Sequence, residues 1–424
     1  MIPDQASKMI PNTAGGMIPE VKLPKSKSIL NRVLLLEALR RGRLQPVGSG
    51  ECGDLRELHD SLDRFLRGES EVFVRESGTA LRFLCAYAAA RATDRELSVT
   101  CGGRLAERPL DQLLEALASM GAKISEEYQD GLKRIIFRPT GRRLSGGLVR
   151  IDNAASSQFI SALMLISSAC GEPIEVEATG KVPSQPYIEM TRRVIEIFDR
   201  DPDSAALREA DWSAAAFFYQ AVASGVVSEL RLPGLVRPGA SLQGDSAAAD
   251  LFHRLGVESR FEENSVTLMH LEYHSTQGCL EEDMSATPDL VPPIVGACLS
   301  QGRPFRLSGV ETLRGKESDR IKALTEGAAA LGFKLEFTED QIIYKAAPRM
   351  LKNLNSFSSD LEYITEKSGD FVLKIPADHR IAMTFSVILM SDGEKMPEKK
   401  VSNPESVEKS FPRFYREFRN FSNV

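Results

Sequence analysis

One arrangement recurs along this chain and limits what it can fold into: an amphipathic helix, a glycine stop and a short alternating strand. Ser61-Leu62-Asp63-Arg64-Phe65-Leu66-Arg67-Gly68 leads to Glu71-Val72-Phe73-Val74, and Leu113-Leu114-Glu115-Ala116-Leu117 leads through Met120-Gly121-Ala122 to Lys123-Ile124. Leu251-Phe252-His253-Arg254-Leu255-Gly256-Val257 leads to Glu258-Ser259-Arg260-Phe261. Ile321-Lys322-Ala323-Leu324 leads through Leu331-Gly332-Phe333 to Lys334-Leu335-Glu336-Phe337. In each, the apolar spacing changes from a helical period to a strand period across the glycine. One such piece cannot bury its own apolar face, so repetition implies neighbouring β/α units that share a core. A chain of 424 residues is too long for a single core. The expected fold is α/β, in two similar domains of repeated units. Arg192-Arg193-Val194-Ile195-Glu196-Ile197-Phe198 starts a further unit, but the short acidic stretch from Asp199 to Asp211 offers no clear strand.

A formal net charge of −6 and a pI near 5.7 argue against a general nucleic-acid binder. They leave room for a small basic cleft in an acidic shell. No apolar run approaches the roughly 20 residues that a membrane span needs. The N-terminus lacks the basic-then-apolar order of a secretory signal. Six cysteines without C-x-x-C pairing read as reduced, core-facing thiols of a cytoplasmic protein. Met-Ile-Pro recurs at 1, 9 and 17 in a stretch that reads as a leader, with the first strand joined from Met17.

The chemistry-bearing residues cluster at helix starts. Leu23-Pro24-Lys25-Ser26-Lys27-Ser28 runs into an apolar helix with Asn31 and Arg32, and Ser26 or Ser28 can cap it. Ser77-Gly78-Thr79-Ala80-Leu81-Arg82 opens a second helix, and Asp152-Asn153-Ala154-Ala155-Ser156-Ser157-Gln158 a third. Lys316-Glu317-Ser318-Asp319-Arg320 and Pro376-Ala377-Asp378-His379-Arg380 open two more, with Asp378 as an expected N-cap. In the loop Gly102-Gly103-Arg104-Leu105-Ala106-Glu107-Arg108-Pro109, Pro109 suits a first helical turn. A helix start presents free N–H groups and partial positive charge. Lysine or arginine added at several such starts points to ligands carrying two or more anionic groups. Any one of them alone would be an ordinary cap; the joint pattern is the signal.

Other constellations carry less. Gly48-Ser49-Gly50-Glu51-Cys52-Gly53 matches G-x-G-x-x-G, but a short proline-containing segment precedes it, so a loop with Asp54 as helix cap is the better reading. His270 and His274 stand four apart in an alternating, strand-like stretch, where that spacing does not chelate. The basic and aromatic residues from Phe411 to Arg419 read as a C-terminal helix with a packed aromatic face.

These stretches together resemble the 3-phosphoshikimate 1-carboxyvinyltransferase (enolpyruvylshikimate-phosphate synthase) family. The matches are Ser26-Lys27-Ser28 with Asn31-Arg32, Gly78-Thr79-Ala80 with Arg82, Glu107-Arg108-Pro109, Ser156-Ser157-Gln158, Gln185-Pro186-Tyr187 and Gln243-Gly244-Asp245. Pro288-Asp289, Lys316-Glu317-Ser318-Asp319-Arg320, Asp378-His379-Arg380-Ile381-Ala382-Met383 and Lys409-Ser410-Phe411-Pro412 follow in family order. The resemblance implies two inside-out α/β domains of β-α-β-α-β-β units, one over residues 24–241 and one over residues 1–23 with 242–424. Crossings between them are expected near Leu23 and Ser241.

The resemblance also implies a reaction: the enolpyruvyl group of phosphoenolpyruvate passes to the 5-hydroxyl of shikimate 3-phosphate, and phosphate is released. Shikimate 3-phosphate falls to Lys27, Ser28, Arg32, Ser156, Ser157, Gln158, Ser184, Tyr187, Asp289 and Lys316. Phosphoenolpyruvate falls to Lys27, Gly78, Thr79, Arg108, Gln158, Glu317, Arg320, Arg380 and Lys409. Lys27, Asp289 and Glu317 are the expected catalytic groups, with Asp289 as base for the hydroxyl and Glu317 with Lys27 delivering a proton to carbon. Because these groups divide between the two domains, closure around substrate is expected. No metal or organic cofactor, nucleic acid or membrane is implied, and a cytoplasmic monomer is expected. Departures from the family pattern are Lys25 in place of a small residue, Glu76 before the Ser77-Gly78 turn, Thr312 where some members carry Asn, and the short 199–211 stretch. Two rival readings are a UDP-amino-sugar enolpyruvyl transferase, disfavoured by Arg104 where that branch carries a cysteine, and a catalytically impaired homologue that only binds ligands.

Overall fold

In the computed structural model the described residues are 18–48, 50–152, 156–179, 184–271, 278–346, 364–367 and 370–420. The leader expected over residues 1–16 and His274 lie outside them. The chain divides into two compact units. Residues 25–209 with 242–244 form one, here called the N-terminal unit; residues up to 24, 210–241 and those from 245 form the C-terminal unit.

The repeated pattern folds as a repeated topology. In the N-terminal unit, β1 (Glu71–Val74), α3 (Gly78–Arg91), β2 (Leu97–Gly102), α4 (Asp111–Ser119), β3 (Lys123–Gln129) and β4 (Leu132–Arg138) form a sheet of order β1-β2-β4-β3. β1 runs parallel to β2, and β4 lies antiparallel to both its neighbours. In the C-terminal unit, β10 (Leu280–Asp283), α9 (Val291–Gln301), β11 (Phe305–Ser308), α10 (Arg320–Ala330), β12 (Leu335–Phe337) and β13 (Gln341–Tyr344) repeat that order and those directions as β10-β11-β13-β12. A further copy joins α7 (Trp212–Ala223), β7 (Glu229–Pro233), α8 (Ala248–His253), β8 (Val257–Phe261) and β9 (Ser265–His270), with Glu20 bridging Arg231 in parallel as its outer strand. The β-α-β-α-β-β unit that the family resemblance implies is thus the folding unit.

One copy is cut short. β5 (Gly147–Asp152) and β6 (Ile174–Thr179) pair in parallel around α5 (Ser157–Ile166), and α6 (Gln185–Arg200) follows. Among the described residues no strand lies between α6 and β7, where a complete copy would carry two more. The stretch from Asp201 holds only a short 3-10 turn, Ala205–Arg208, before α7.

Each unit buries three helices against one another and wraps sheets and amphipathic helices around them. In the N-terminal unit these are α1 (Lys27–Leu36), α3 and α5. In the C-terminal unit they are α7, α9 and α11 (His379–Ser391). These helices are apolar on nearly every face, so they have no solvent side and must lie inside. α3 buries Phe83, Leu84 and Cys85; α7 buries Trp212, Phe217 and Phe218. The outer α2 (Gly53–Leu66), α4 and α6 are striped instead, with charged outer faces.

Residues 210–241, which the sequence-based boundary at 241 placed with the first domain, pack in the C-terminal unit. The reason is α7: Trp212, Phe217, Phe218 and Tyr219 all bury in that unit's core, where Phe218 stacks on Phe418 with ring centres 4.7 Å apart. Phe411, Phe414 and Phe418 face inward around α12 (Phe414–Arg419), so the C-terminal aromatics are core, as expected. His270 lies on β9, its Nδ1 2.8 Å from the Val222 carbonyl. No described helix is long and apolar enough to cross a membrane.

Candidate active site

Because the parallel strands of each unit end on one side, the helices that follow them start there together. In the N-terminal unit the starts of α1, α2, α3, α5 and α6 are stitched to one another. Ser26 caps α1, its hydroxyl accepting from the Ile29 N–H. Lys27 Nζ lies 3.0 Å from Asp54 Oδ2 at the start of α2. Asp54, expected as the cap of α2, sits inside the helix and serves as the lysine's counter-ion; Cys52 holds the cap position without a side-chain bond.

Arg32 ties three of these helices. Its Nη1 donates to the Ser28 carbonyl at 2.7 Å, its Nε to Thr191 Oγ1 at 2.7 Å, and its Nη2 to Ser161 Oγ and the Tyr187 carbonyl at 3.2 Å each. The guanidinium is 2% exposed and lies near the faces of Phe83 and Tyr187. Burial pushes its pKa down to about 10. Among the described residues its hydrogen-bond partners are all neutral oxygens. A buried cation held only by dipoles is a strong attractor for an anion.

Gly78, Thr79, Arg108 and Gln158 meet at the starts of α3 and α5. Ser77 caps α3, and the Glu57 carboxylate takes the N–H groups of Arg75 and Ser77 at 2.5 and 2.9 Å. Arg108 lies against Gly78 so closely that a Cβ there would stand 2.4 Å from its Nη1. Gln158 Nε2 donates to Thr79 Oγ1 at 3.2 Å, while Ser156 caps α5 through the Gln158 N–H. Among the described residues, the buried Nε of Arg108 and Oε1 of Gln158 lack hydrogen-bond partners. Each such unmet group costs about 1–3 kcal/mol, and two at one spot among helix starts make it a candidate ligand seat. Ser184 precedes α6 in the left-handed conformation, at φ 59°, which is uncommon for serine and concentrates at functional sites. Pro109 falls just before α4 rather than within its first turn. Glu76 is exposed, as is Lys25.

In the C-terminal unit a network of charges joins the starts of α9, α10 and α11. Asp289, in the turn before α9, takes Arg320 Nη1 on Oδ1 at 3.1 Å and Arg380 Nη2 on Oδ2 at 2.8 Å, with Lys316 Nζ at 3.7 Å. Arg320 also reaches Glu317 at 2.7 Å and Asp378 at 2.9 Å, and Lys409 Nζ lies 3.7 Å from Glu317. Asp378 caps α11 as expected, accepting from the Arg380 N–H, and takes the Ser318 hydroxyl at 2.9 Å. Burial alone would raise the Asp289 carboxyl, but the cations of Arg380, Lys316 and Arg320 outweigh it and hold the group well below the usual carboxylate range. Burial lowers Lys316, with Arg320 and Arg380 adding to that and Asp289 opposing it. Arg320, although buried, is held above its ordinary value by Asp378, Glu317 and Asp289.

Two groups near this network do more than their sequence foretells. Asp245 is 3% exposed and takes the Ser213 hydroxyl; burial first, then the Asp289 charge, push its carboxyl up to about 7. Asp378 is a hub for Arg320 as well as a cap. Neither spacing nor periodicity reveals a carboxylate that works through tertiary contacts; only the Gln243-Gly244-Asp245 motif singled out the first.

The chain is similar to known proteins along most of its length. The profile described as EPSP synthase (3-phosphoshikimate 1-carboxyvinyltransferase) matches residues 51–418. A 3-phosphoshikimate 1-carboxyvinyltransferase of Bacteroides fragilis is 31% identical, over 94% of each chain, and one of Histophilus somni is 28% identical over 95% of this chain and 96% of its own. Among solved structures, EPSP synthase from Acinetobacter baumannii superimposes with a TM-score of 0.59 at 18% identity, covering 95% of this chain and 96% of that one. The enolpyruvyl transferase NikO from Streptomyces tendae gives 0.58 at 13% identity, covering 96% of each. These two distant structures bear out the fold, with its repeated α/β units. The chain belongs to the EPSP synthase (3-phosphoshikimate 1-carboxyvinyltransferase) family.

Proposed function

We propose that this chain transfers the enolpyruvyl group of phosphoenolpyruvate to the 5-hydroxyl of shikimate 3-phosphate, acting as a monomer in the cytoplasm in aromatic amino-acid biosynthesis. The observation that carries the reading is the charge network of Asp289, Glu317, Arg320 and Arg380: two carboxylates suited to proton transfer, held among cations suited to phosphate and carboxylate groups. Lys27, Ser28, Arg32, Ser156, Ser157, Gln158, Ser184, Tyr187, Asp289 and Lys316 bind shikimate 3-phosphate in this reading. Lys27, Gly78, Thr79, Arg108, Gln158, Glu317, Arg320, Arg380 and Lys409 bind phosphoenolpyruvate.

The chemistry needs one proton added to the methylene carbon and one removed from the attacking hydroxyl. Glu317 with Lys27 supplies the first; Asp289 takes the second as the hydroxyl oxygen bonds to the central carbon. The tetrahedral adduct then breaks its bond to phosphate, and the methyl group returns a proton to restore the enol ether. Asp289 is a weak base while Arg320, Arg380 and Lys316 surround it. Anionic substrates compete for those cations, so ligand binding raises the basicity of Asp289 at the moment it is needed. The cost of gathering the cations falls before substrate arrives, which is preorganisation.

Phosphate release measured with phosphoenolpyruvate and either shikimate 3-phosphate or a UDP-amino-sugar as acceptor tests the reading. Turnover with shikimate 3-phosphate alone is expected. Turnover with the UDP-sugar, or ligand-induced stabilisation without any turnover, would overturn it in favour of the two rival readings.

A further inference from the structure

The reaction has no direct use for Glu209, yet its carboxylate is 4% exposed and well employed. Oε1 accepts the Leu242 N–H at 2.8 Å, and Oε2 accepts the Gln243 side-chain amide at 3.0 Å. Its backbone carbonyl accepts the Ser26 N–H at 2.8 Å. One residue thereby fastens two segments far apart in sequence, and each leads to a helix start that carries ligand-binding groups. Ser26 caps α1, immediately before Lys27 and Ser28. Gly244, next to Gln243, packs on Pro186 so tightly that a Cβ would stand 2.4 Å from Pro186 Cβ. Pro186 lies in the first turn of α6, between Ser184 and Tyr187. Arg32 completes the circuit within the N-terminal unit, running from the Ser28 carbonyl to the Tyr187 carbonyl.

We propose that Glu209 is a positioning residue: it sets the separation of the starts of α1 and α6, and so the width of the seat for shikimate 3-phosphate. The inference rests on the functional reading above. Hydrogen bonds to a carboxylate are about twice as strong as neutral ones, so this clip is stiffer than a loop contact made by amides. The side-chain bonds to Leu242 and Gln243 hold the segment ending at Gly244, while the backbone bond holds Ser26. Loss of the carboxylate therefore frees the α6 side while the α1 side stays tied, and the seat changes shape rather than dissolving.

The test uses the intact chain with Glu209→Leu, Glu209→Gln and Gln243→Leu, each followed by thermal melting and by phosphate release with each substrate varied in turn. Glu209→Leu raises KM for shikimate 3-phosphate about tenfold or more, while KM for phosphoenolpyruvate stays within about threefold of the parent. Glu209→Gln gives a rise well below that of Glu209→Leu, because Gln243 can turn its amide over and accept from the new amide nitrogen while the Leu242 N–H keeps its acceptor, both bonds being weaker neutral ones. Gln243→Leu removes one bond and falls between. A Glu209→Leu protein that melts earlier but keeps the parent KM for shikimate 3-phosphate would reduce Glu209 to a structural clip and overturn the inference. A rise of both KM values together would overturn it too. Should Glu209→Leu fail to fold, an unchanged KM in Gln243→Leu overturns the inference on its own. A parent without turnover on shikimate 3-phosphate is a different failure, that of the functional reading.

Discussion

The Nε of Arg320 lies 2.9 Å from Oδ2 of Asp378, with the two side chains 1% and 0% exposed. Asp378 thereby aims Arg320 from behind while Glu317 and Asp289 hold its other nitrogens. Asp378→Asn keeps the cap on the Arg380 N–H but removes the charge behind Arg320. A loss of about 1–3 kcal/mol is expected, the range for hydrogen bonds to charged groups, because two carboxylates still neutralise the guanidinium. Activity falls further, by about a thousandfold in kcat/KM or roughly 4 kcal/mol, because misaimed charge stabilises a transition state poorly. Urea unfolding beside steady-state kinetics separates the two; equal losses in stability and in transition-state binding would contradict an aiming role.

Lys27→Ala removes both a proposed proton donor and the counter-ion of Asp54. The pair is mostly but not fully buried, so the fold survives with a modestly lower melting temperature. Turnover drops by about a thousandfold, within the span of lost general acid–base catalysis. Retained turnover near the parent level in a folded protein would remove Lys27 from the chemistry.

Gly78→Ala acts through Arg108. The new Cβ would stand 2.4 Å from Arg108 Nη1 and 2.8 Å from both Arg108 Cζ and Arg82 Nη1; Arg82 is tied to the Gly78 and Pro109 carbonyls, so the end of Arg108, the nearer of the two, yields most. Arg108 then leaves its place, and KM for phosphoenolpyruvate rises about tenfold or more while KM for shikimate 3-phosphate stays within about threefold. The melting temperature hardly moves, since alanine suits a helix better than glycine does. Equal shifts in both constants would show that the α3 start serves the other substrate as well.

The repeated β/α unit was legible because it is written locally: helix stripe, glycine, alternating strand, as at Leu251 to Phe261 and again at Ile321 to Phe337; its full β-α-β-α-β-β order was implied only by the family resemblance. The helix starts were legible for the same reason, since Ser26 and Asp378 cap within a few residues of where they stand. The membership of residues 210–241 was not. α7 is apolar all round, so its pattern says that it is buried without saying in which core; Trp212 and Phe218 decide that by contacts with residues far along the chain. Asp54 misled for a related reason. An aspartate near a helix start is by default a cap, and only Lys27, 27 residues earlier, diverts it. Glu209 carries no local mark, because its bonds to Ser26, Leu242 and Gln243 span long stretches of chain.

Asp245 gives the fold a pH dependence whose sign can be fixed in advance. Its carboxyl moves from an ordinary 3.8 to about 7 on folding, through burial and the nearby charge of Asp289, opposed by Arg380 and by the Ser213 hydroxyl. A carboxyl whose pKa rises on folding binds its proton more tightly in the native state. Below about pH 4 both states hold the proton and the contribution is fully present; as pH climbs toward 7 the unfolded chain sheds it first, and stability is lost. Above pH 7 both states are ionised and the loss is complete. Asp245→Asn cannot titrate and can still accept from Ser213. Relative to the parent, its melting temperature gains steadily from about pH 4 to about pH 7 and then keeps a constant lead, of the order of a few kcal/mol in stability. Thermal melts of the two proteins across pH 4 to 9 read this directly; parallel curves would mean that Asp245 is ionised in the native state throughout, held so by Arg380.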